Sequence, residues 1–395
     1  MKTVSKLKKT IIEKNYIRFL KYVIIFFWFC RLNKNEVLCC NFFGKGYGDN
    51  AKYIAEELLK DKQHKYVIYW ICNGKEEMQS LPQDIIPVKK YSLMYFYKIA
   101  TAKYWIFNER TPVYYRKRNK QVYIQTWHGS LAFKKIEYDV ADSLDKNYIK
   151  NAPRDTKETD LMISNCNFCS NMYRRAFKYG GKILECGSPR NDILINTKYS
   201  TARKKVEEKL SLQHNSIVVL YAPTFRSNYD NNPYDIDFEK VKEALEKKYN
   251  KKVDVIIRMH PGLKNYKQLI KSSDKCIDAT AYPDIQELIL ASNILVTDYS
   301  STMFEAMISD KPVILYTKDI SDYNKDRGSY FEIEELPFYN SRNNKELINI
   351  IKRYSFAELK SKYDKFEKRI QLIENGTASK EIRKYIVETG KQDAE

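Results

Sequence analysis

Short apolar runs alternate with longer helix-like stretches along most of this sequence, and this alternation constrains the fold more than any other feature. The pattern is typical of parallel sheets whose strands are connected by crossover helices. We therefore predict an α/β fold of doubly wound sheets that ends in helices after Asn343. The predicted strands are Val37–Phe43, Tyr66–Cys72, Tyr104–Asn108, Val122–Thr126, Leu161–Ser164, Lys182–Cys186, Ile217–Tyr221, Val253–Met259, Ile294–Thr297 and Val313–Leu315; the predicted helices include Ala51–Lys60, Ser92–Ala102, Phe238–Lys248, Ile285–Ser292 and Thr302–Ser309.

The length of the chain favours two domains, because single hydrophobic cores stop growing near about 250 to 300 residues and this chain has 395. The turn-rich segment Gly187–Asp192 separates the two sets of strands. We predict an N-terminal segment at 1–35, a first Rossmann-like domain at 36–195, and a second at 196–395 that includes the terminal helices. Ligands of such folds bind beyond the carboxyl ends of the strands, so motifs at strand ends are the first candidates for a site.

The first 31 residues are rich in basic and aromatic side chains. Lys and Arg residues precede the apolar run Tyr22–Cys30, which as a helix would cover about 14 Å of a bilayer core that is about 30 Å thick. We predict a helix that lies on the anionic cytoplasmic face of the cell membrane, with Phe26, Phe27 and Trp28 among the headgroups. The alternative is a helix that packs its aromatic side on the body of the protein.

The excess of basic residues indicates an anionic partner. The chain has 69 Lys and Arg against 50 Asp and Glu, a net charge of +19, which suits a phosphate polymer, a nucleic acid or an acidic lipid. Basic and acidic residues are interleaved throughout, which disfavours a noncatalytic polyanion binder, and we predict no nucleic-acid partner. The eight cysteines form one CxxC pair, Cys166 and Cys169, and we expect reduced, mostly buried thiols rather than a zinc or redox site.

A histidine follows the predicted strand Val122–Thr126. His128 stands where that strand stops, and Gly129 after it permits a sharp turn. An imidazole, with an unperturbed pKa near about 6.5, suits general-base catalysis at neutral pH. We predict that His128 takes a proton from an attacking hydroxyl, and that Lys134 and Lys135 offer positive charge to an acceptor phosphate. The alternative for His128 is a hydrogen-bonded structural histidine in a loop.

A second histidine ends the predicted strand that begins at Val253. Arg258 and His260 project on the same side of this strand by alternation. We predict that they clamp a diphosphate and stabilise the charge that develops on a leaving phosphate. The alternative is that Arg258 simply pairs with a carboxylate.

Hydroxyl side chains precede the predicted helix Thr302–Ser309. Free N–H groups at a helix start attract anions, so we predict that Ser300, Ser301 and Thr302 bind donor phosphates, while Asp298 orients the turn or a ribose hydroxyl. Arg226, after another strand, is predicted to be a second phosphate ligand. The alternative for the hydroxyls is an ordinary helix N-cap.

A glycine-rich turn, Gly44–Asp49, follows the first predicted strand. It lacks the full dinucleotide-binding fingerprint. We predict that Gly46, Tyr47 and Asp49 form a wall of the acceptor site, and a plain tight turn is the alternative.

Taken together, these motifs resemble the CDP-glycerol glycerophosphotransferases, which prime and polymerise teichoic acids and related capsular polymers. The resemblance rests on Gln125–Ser130 with Lys134 and Lys135, Gly187–Asp192, Tyr221–Arg226, Arg258–His260, Thr297–Ser301 and Lys311–Tyr316, which occur in the family's order, with Asp319, Tyr323, Arg327 and Gly328 downstream. It implies a GT-B architecture with the donor held mainly by the second domain. It also implies His128 as the base, His260 on the diphosphate side, and Arg327 among the donor-binding residues. Leu131–Phe133 departs from the Pro-Leu pair common in the family, which bears on the acceptor.

The resemblance also implies a reaction. An alditol phosphate, expected to be glycerol phosphate, would pass from a CDP-alditol donor to a hydroxyl of a lipid-linked saccharide or polyol-phosphate acceptor at the inner membrane face, and CMP would leave. CDP-ribitol is an alternative donor, and a GT-B glycosyltransferase that uses a nucleotide sugar is an alternative enzyme. No tightly bound cofactor or dedicated metal site is expected, although Mg²⁺ could accompany the donor diphosphate.

Overall fold

The computed structural model of this chain contains two parallel α/β domains. It describes residues 2–129, 131–226, 233–259, 276–323 and 328–392. Short 3-10 helices lie at Phe27–Phe29, Glu137–Ser143, Pro189–Asn191 and Ile333–Glu335. The strands and helices are β1 (Asn33–Cys40), β2 (Val67–Cys72), β3 (Ile85–Lys89), β4 (Ala102–Phe107), β5 (Val122–Gln125), β6 (Leu161–Ser164), β7 (Lys182–Glu185), β8 (Ile217–Tyr221), β9 (Val253–Ile257), β10 (Ile277–Asp278), β11 (Ile294–Thr297), β12 (Val313–Tyr316) and β13 (Tyr339–Ser341), with α1 (Lys2–Phe26), α2 (Asp49–Leu59), α3 (Lys75–Gln79), α4 (Leu93–Thr101), α5 (Lys146–Glu158), α6 (Asn167–Ala176), α7 (Asp192–Asn196), α8 (Tyr199–Leu210), α9 (Phe238–Tyr249), α10 (Ile285–Ala291), α11 (Thr302–Ile308), α12 (Ile320–Tyr323), α13 (Asn344–Arg353), α14 (Phe356–Ile370) and α15 (Ala378–Gln392).

Both sheets are doubly wound. The first has the strand order β3-β2-β1-β4-β5-β6-β7 and the second β10-β9-β8-β11-β12-β13, and every strand pair is parallel. The order reverses between β1 and β4 in one sheet and between β8 and β11 in the other. At such switch points the loops beyond the carboxyl ends diverge and leave room for a ligand. The predicted α/β class with two Rossmann-like domains is confirmed.

The strands are apolar because helices cover both faces of each sheet. All six residues of β4 and all five of β9 are buried. Two hydrophobic clusters lie on the two faces of each sheet. Each fully buried aliphatic or aromatic side chain contributes about 1.5–3 kcal/mol, so these clusters fix the loops at the strand ends to a rigid support.

The C-terminal helix α15 returns to the first domain. Ile382 and Ile386 are buried in the cluster that contains Ile54 and Leu58 of α2, and the Tyr104 hydroxyl donates a hydrogen bond of 2.9 Å to the Ile386 carbonyl. The predicted division placed residues 196–395 together, whereas α15 lies against the first sheet. The physical reason is its apolar stripe at i and i+4, which covers a sheet face that would otherwise meet water.

The N-terminal helix α1 presents apolar residues on two sides. Leu20 and Ile24 are buried against the first domain, and Phe27 after the helix packs edge-on against Tyr97 with ring centroids 5.5 Å apart. Other large apolar residues of α1 are 55–67% exposed: Ile12, Tyr16, Phe19, Tyr22 and Phe26. Packing on the body, the alternative considered above, therefore holds for one side of the helix. Among the described residues, no helix combines the length and apolarity needed to cross a membrane.

Candidate active site

Loops beyond the carboxyl ends of the two sheets meet where the domains join. Gly129, just after β5, approaches Ser301, just before α11, so closely that a Cβ on Gly129 would lie 3.0 Å from Ser301 Oγ. Gly129 also has φ +85°, a conformation that L side chains rarely adopt. The turn that carries His128 therefore touches the loop predicted to bind donor phosphate.

His128 is held by its ring nitrogen Nδ1. This atom lies 2.9 Å from the Asn108 carbonyl oxygen, and because a carbonyl only accepts, the proton of the neutral ring is on Nδ1 and the lone pair is on Nε2. The ring stacks on Trp127 at 4.3 Å and contacts Phe42 at 5.6 Å, centroid to centroid. In the neutral ring the basic lone pair is therefore on Nε2, while general-base catalysis by His128 stays a prediction.

The electrostatic setting also favours a neutral His128. His128 is partly exposed to solvent, and desolvation by the surrounding protein lowers the pKa of its ring below the usual value. The Asn108 hydrogen bond and the charge of Asp49 act in the opposite direction and offset the burial only in part. A base must be unprotonated to act, so the lowered pKa suits this role.

Asn108 is itself fixed on all sides. Its side-chain nitrogen donates to Asp49 Oδ2 at 2.8 Å and to Asn41 Oδ1 at 2.7 Å, and its side-chain oxygen accepts from the Phe42 amide at 3.0 Å. The glycine-rich turn after β1 is therefore bound to the loop that orients His128. Asp49, predicted in the acceptor wall, lies in this network, while its role toward an acceptor stays a prediction.

The other two predicted wall residues pack against the body of the first domain. The Trp70 indole donates to the Gly46 carbonyl at 3.1 Å, and the Tyr47 ring contacts the Trp70 ring at 4.8 Å. The Tyr47 hydroxyl donates to Glu56 at 3.2 Å. These contacts fix the shape of the turn, and contact of Gly46 or Tyr47 with an acceptor stays a prediction.

Lys134 and Lys135 lie on a segment that crosses to the second domain. Lys134 forms an antiparallel bridge with Ser329, and the Lys135 amide donates to the Gly328 carbonyl at 3.2 Å. The Lys134 ammonium is 4.9 Å from the centre of the Tyr323 ring. The segment therefore brings both lysines to the domain junction, where acceptor-phosphate binding stays a prediction.

Arg258 is a half-buried cation without an ion-pair partner among the described residues. Its Nη2 donates to the Tyr282 carbonyl at 3.1 Å, and its Nε has no hydrogen-bond partner there. Burial lowers the pKa of Arg258 to about 10; Asp284 opposes this effect and the neighbouring Arg190 adds to it. Asp284 itself is bound by other groups, including Lys52 at 2.5 Å. Within the described ranges, Arg258 does not pair with a carboxylate, so that alternative does not hold. A guanidinium without a counter-charge is suited to binding an anion.

Arg226 lies between two carboxylates. Its Nη2 is 2.8 Å from Asp298 Oδ2 and its Nε is 2.7 Å from Asp319 Oδ2. Burial acts against the charge, but these carboxylates outweigh it and raise the pKa of Arg226. Asp298 also accepts from the Thr224 amide at 2.9 Å and from the Tyr299 amide at 2.6 Å, so it orients the turn. The two carboxylates already compensate the charge of the Arg226 guanidinium, and phosphate binding by Arg226 stays a prediction.

The hydroxyls before α11 form a local cap. Ser300 Oγ accepts from Thr302 Oγ1 at 2.9 Å and from the Thr302 amide at 3.4 Å. Ser301, at the N-cap position, makes no side-chain capping bond. Ser300 therefore binds the start of the helix from the position before the N-cap, while Ser301 makes no capping bond and faces Gly129; donor-phosphate binding by these groups stays a prediction. Two further predicted site residues, His260 and Arg327, lie outside the described residues.

Sequence reasoning missed Arg190. The segment Gly187–Asp192 is the predicted domain boundary, but Arg190 Nη1 is 3.2 Å from Asp49 Oδ1 and Nη2 pairs with Glu305 of α11. Its amide donates to Asn50 Oδ1 at 3.1 Å. Arg190 thus joins both domains beside His128. The available signal was its place in a motif of the resembled family. In the described parts of the chain, no group of three or more His, Cys, Asp or Glu side chains could hold a metal ion.

Comparisons with known proteins agree with the strand-end motifs. The family model described as CDP-Glycerol:Poly(glycerophosphate) glycerophosphotransferase matches residues 22–388. The teichoic acid poly(glycerol phosphate) polymerase of Bacillus subtilis (strain 168) is 29% identical over 391 residues, 96% of this chain and 52% of that protein, so the chain spans about half the length of that relative. The teichoic acid glycerol-phosphate transferase of Staphylococcus aureus (strain NCTC 8325 / PS 47) is 30% identical over 371 residues, 89% of this chain and 92% of that protein. The solved structure of the wall teichoic acid polymerase TagF matches this chain with a TM-score of 0.82 at 28% identity. The match covers 99% of this chain and 99% of that chain.

Proposed function

Because the chain belongs to the CDP-glycerol:poly(glycerophosphate) glycerophosphotransferase family, we propose that it transfers glycerol phosphate from CDP-glycerol to a hydroxyl of a membrane-linked, teichoic-acid-like or capsular acceptor and releases CMP. The observation that carries this proposal is the hydrogen bond between His128 Nδ1 and the Asn108 carbonyl, which leaves the lone pair of the neutral ring on Nε2. His128 follows β5 of the first sheet, and its neighbour Gly129 approaches Ser301, which follows β11 at the switch point of the second sheet. A base and a phosphate-binding loop at one junction suit phosphoryl transfer.

In the proposed reaction, Nε2 of His128 takes the proton of the acceptor hydroxyl. The oxygen attacks the phosphorus that bears the glycerol, and a new phosphorus–oxygen bond forms. The bond from that phosphorus to the bridging oxygen breaks, and its electron pair leaves with CMP. The unpaired charge of Arg258 would stabilise the leaving phosphate, and His260 and Ser300 would assist it. No covalent enzyme intermediate is required, since such chemistry depends on positioning and charge.

We further propose that α1 holds the enzyme on the cytoplasmic membrane surface. Its exposed apolar residues include Tyr16, Phe19 and Phe26, next to the exposed basic residues Lys14 and Arg18. A helix of this kind binds by inserting apolar side chains while its cations contact anionic headgroups. We expect sedimentation with vesicles that contain anionic lipid, and a loss of binding in Phe19→Ser and Phe26→Ser but not in Phe356→Ser, which removes an exposed aromatic of α14. Equal binding of all three variants would contradict the membrane role of α1.

The reaction is tested by measuring CMP release from CDP-glycerol and from CDP-ribitol in the presence of a lipid-linked acceptor. UDP- and GDP-sugars serve as further donors, and each assay is run with and without Mg²⁺. We expect turnover of CDP-glycerol and a loss of about 10²–10⁴-fold in His128→Gln, the usual contribution of a general base. His64→Gln is the matched control, because His64 lies away from the junction and pairs with Asp61 at 3.0 Å. Turnover of CDP-ribitol alone would change the donor, and turnover of nucleotide sugars alone would overturn the phosphotransferase reaction.

A further inference from the structure

Hydrogen bonds made by Asn108, Asp49 and Arg190 connect His128 to α11 of the second domain. The His128 ring donates to the Asn108 carbonyl at 2.9 Å, and the Asn108 side chain donates to Asp49 Oδ2 at 2.8 Å. Arg190 Nη1 donates to the other Asp49 oxygen at 3.2 Å, and Arg190 Nη2 donates to Glu305. Asn108, Asp49, Arg190 and Glu305 are all buried, so water does not compete for these bonds.

Each of these residues constrains the next. The two carboxylate oxygens of Asp49 bind different partners, Asn108 on one side and Arg190 on the other. The guanidinium fork of Arg190 in turn reaches two carboxylates at once, which the single ammonium of a lysine cannot reproduce. Without Arg190, Asp49 would be a buried charge with no counter-charge and would be expected to leave its place.

We infer that Asp49 and Arg190 are positioning residues that hold His128 in the Nδ1–H tautomer and make that arrangement depend on contact with the second domain. This inference rests on the proposed function, in which Nε2 of His128 is the base. Arg190, which lies in the predicted domain boundary, thereby has a role in positioning His128. A positioning role also explains why a buried arginine and a buried aspartate stand behind a histidine they do not touch.

The charges of the two residues act on His128 in opposite directions. The charged groups that act on the pKa of His128 include Asp49 and Glu137, which raise it, and Arg190, which lowers it. Asp49 stabilises the imidazolium, so Asp49→Asn should lower the pKa of His128. Arg190 destabilises it, so Arg190→Gln should raise that pKa. A general loss of structure would not separate the two variants in this way.

The direct test is the tautomer of His128 in the intact chain, measured by NMR after labelling histidine with ¹⁵N. The chain has four histidines, and His128→Gln identifies the signals of His128. We expect a single Nδ1–H tautomer in the wild type and a mixture of tautomers in Asp49→Asn and Arg190→Gln, with pH titrations that shift in opposite directions. Arg190→Lys keeps the charge and should leave the titration near that of the wild type while the tautomers still mix.

Kinetics provide the second measurement. Because misplacement of a catalytic group by about 1 Å can cost about 10²-fold, we expect kcat for CMP release to fall by about that factor in all three variants, with KM for CDP-glycerol within about threefold of the wild type. Arg203→Gln is the matched control, since Arg203 is a buried arginine of α8 that pairs with Glu207 at 2.5 Å. It should leave kcat and the His128 signals unchanged.

The outcomes separate the inference from the proposed function. An unchanged tautomer and titration of His128 in the variants would overturn the inference, whatever the activity. Mixed tautomers in a protein that turns over no CDP-alditol would support the positioning network and overturn the proposed reaction. If Arg190→Gln does not fold, Arg190→Lys decides, and a wild-type tautomer with wild-type kcat in that variant would overturn the inference.

Discussion

Replacing Arg226 by methionine removes one cation from between two carboxylates. The side chains of Arg226, Asp298 and Asp319 are 8%, 5% and 12% exposed. Removing one partner from a buried ion pair costs about 3–5 kcal/mol, because the remaining charge has no counter-charge. Each 1 kcal/mol lowers the Tm of a domain of about 150 to 250 residues by roughly 2–4 °C. We therefore expect the Tm of the transition that includes the second domain to fall by roughly 6–20 °C.

The assay is urea and thermal unfolding of the intact chain, followed by circular dichroism. Asp319→Asn is then added to Arg226→Met, because a neutral amide needs no counter-charge, and the double variant should recover part of the loss. The coupling free energy of the cycle should lie in the range of about 0.5–3 kcal/mol found for residues in contact. Arg342→Met is the control: it breaks an exposed pair with Glu334, 60% and 70% exposed, and should change stability by less than about 0.5 kcal/mol.

The opposite result would be informative about the site. If Arg226→Met melts within 2 °C of the wild type, a shift below that expected for about 1 kcal/mol, and shows no coupling to Asp319→Asn, the ion-pair reasoning is refuted. A large increase of KM for CDP-glycerol in such a stable variant would instead support the phosphate-binding role that the sequence predicts for Arg226.

Three further predictions concern the junction. First, the acid limb of the pH profile of kcat/KM should have its midpoint below the usual imidazole pKa near 6.5, because burial lowers the pKa of His128 and only the neutral base acts. A midpoint at or above pH 6.5 would contradict this prediction. Second, Gly129→Ala should reduce kcat, because a φ of +85° strains an L side chain and the added Cβ would lie 3.0 Å from Ser301 Oγ and displace it. Gly180→Ala, with nothing within 4 Å of its added Cβ, should have wild-type kcat; equal activities would refute the steric argument. Third, Arg258→Gln should raise KM for CDP-glycerol without lowering the midpoint of urea unfolding, because the substitution removes a half-buried cation that has no described ion-pair partner. A lower unfolding midpoint with an unchanged KM would show that Arg258 has a structural role instead.

Much of the fold followed from local patterns. Strands β1, β2, β4, β5 and β8 lie where apolar runs predicted them, although β1 begins and ends earlier than expected. The missed strands β3, β10 and β13 are edge strands. Pro87 interrupts the run of β3, a position that an edge strand tolerates because one side of it makes no ladder bonds. Strands β10 and β13 have only two and three residues, so their backbone pairing leaves no periodic signal.

The sequence by itself determined the α/β class, the strand-end place of His128, Arg258 and Ser301, and the family. These properties are readable because hydrophobic periodicity is local, and because motifs at the carboxyl ends of parallel strands must gather at one edge. Only the tertiary structure decided which charges pair: Arg226 with two carboxylates, and Arg190 with Asp49, 141 residues away along the chain. The reason is that a buried charge binds whichever opposite charge the folded loops bring within about 4 Å, and separation along the chain does not encode that distance.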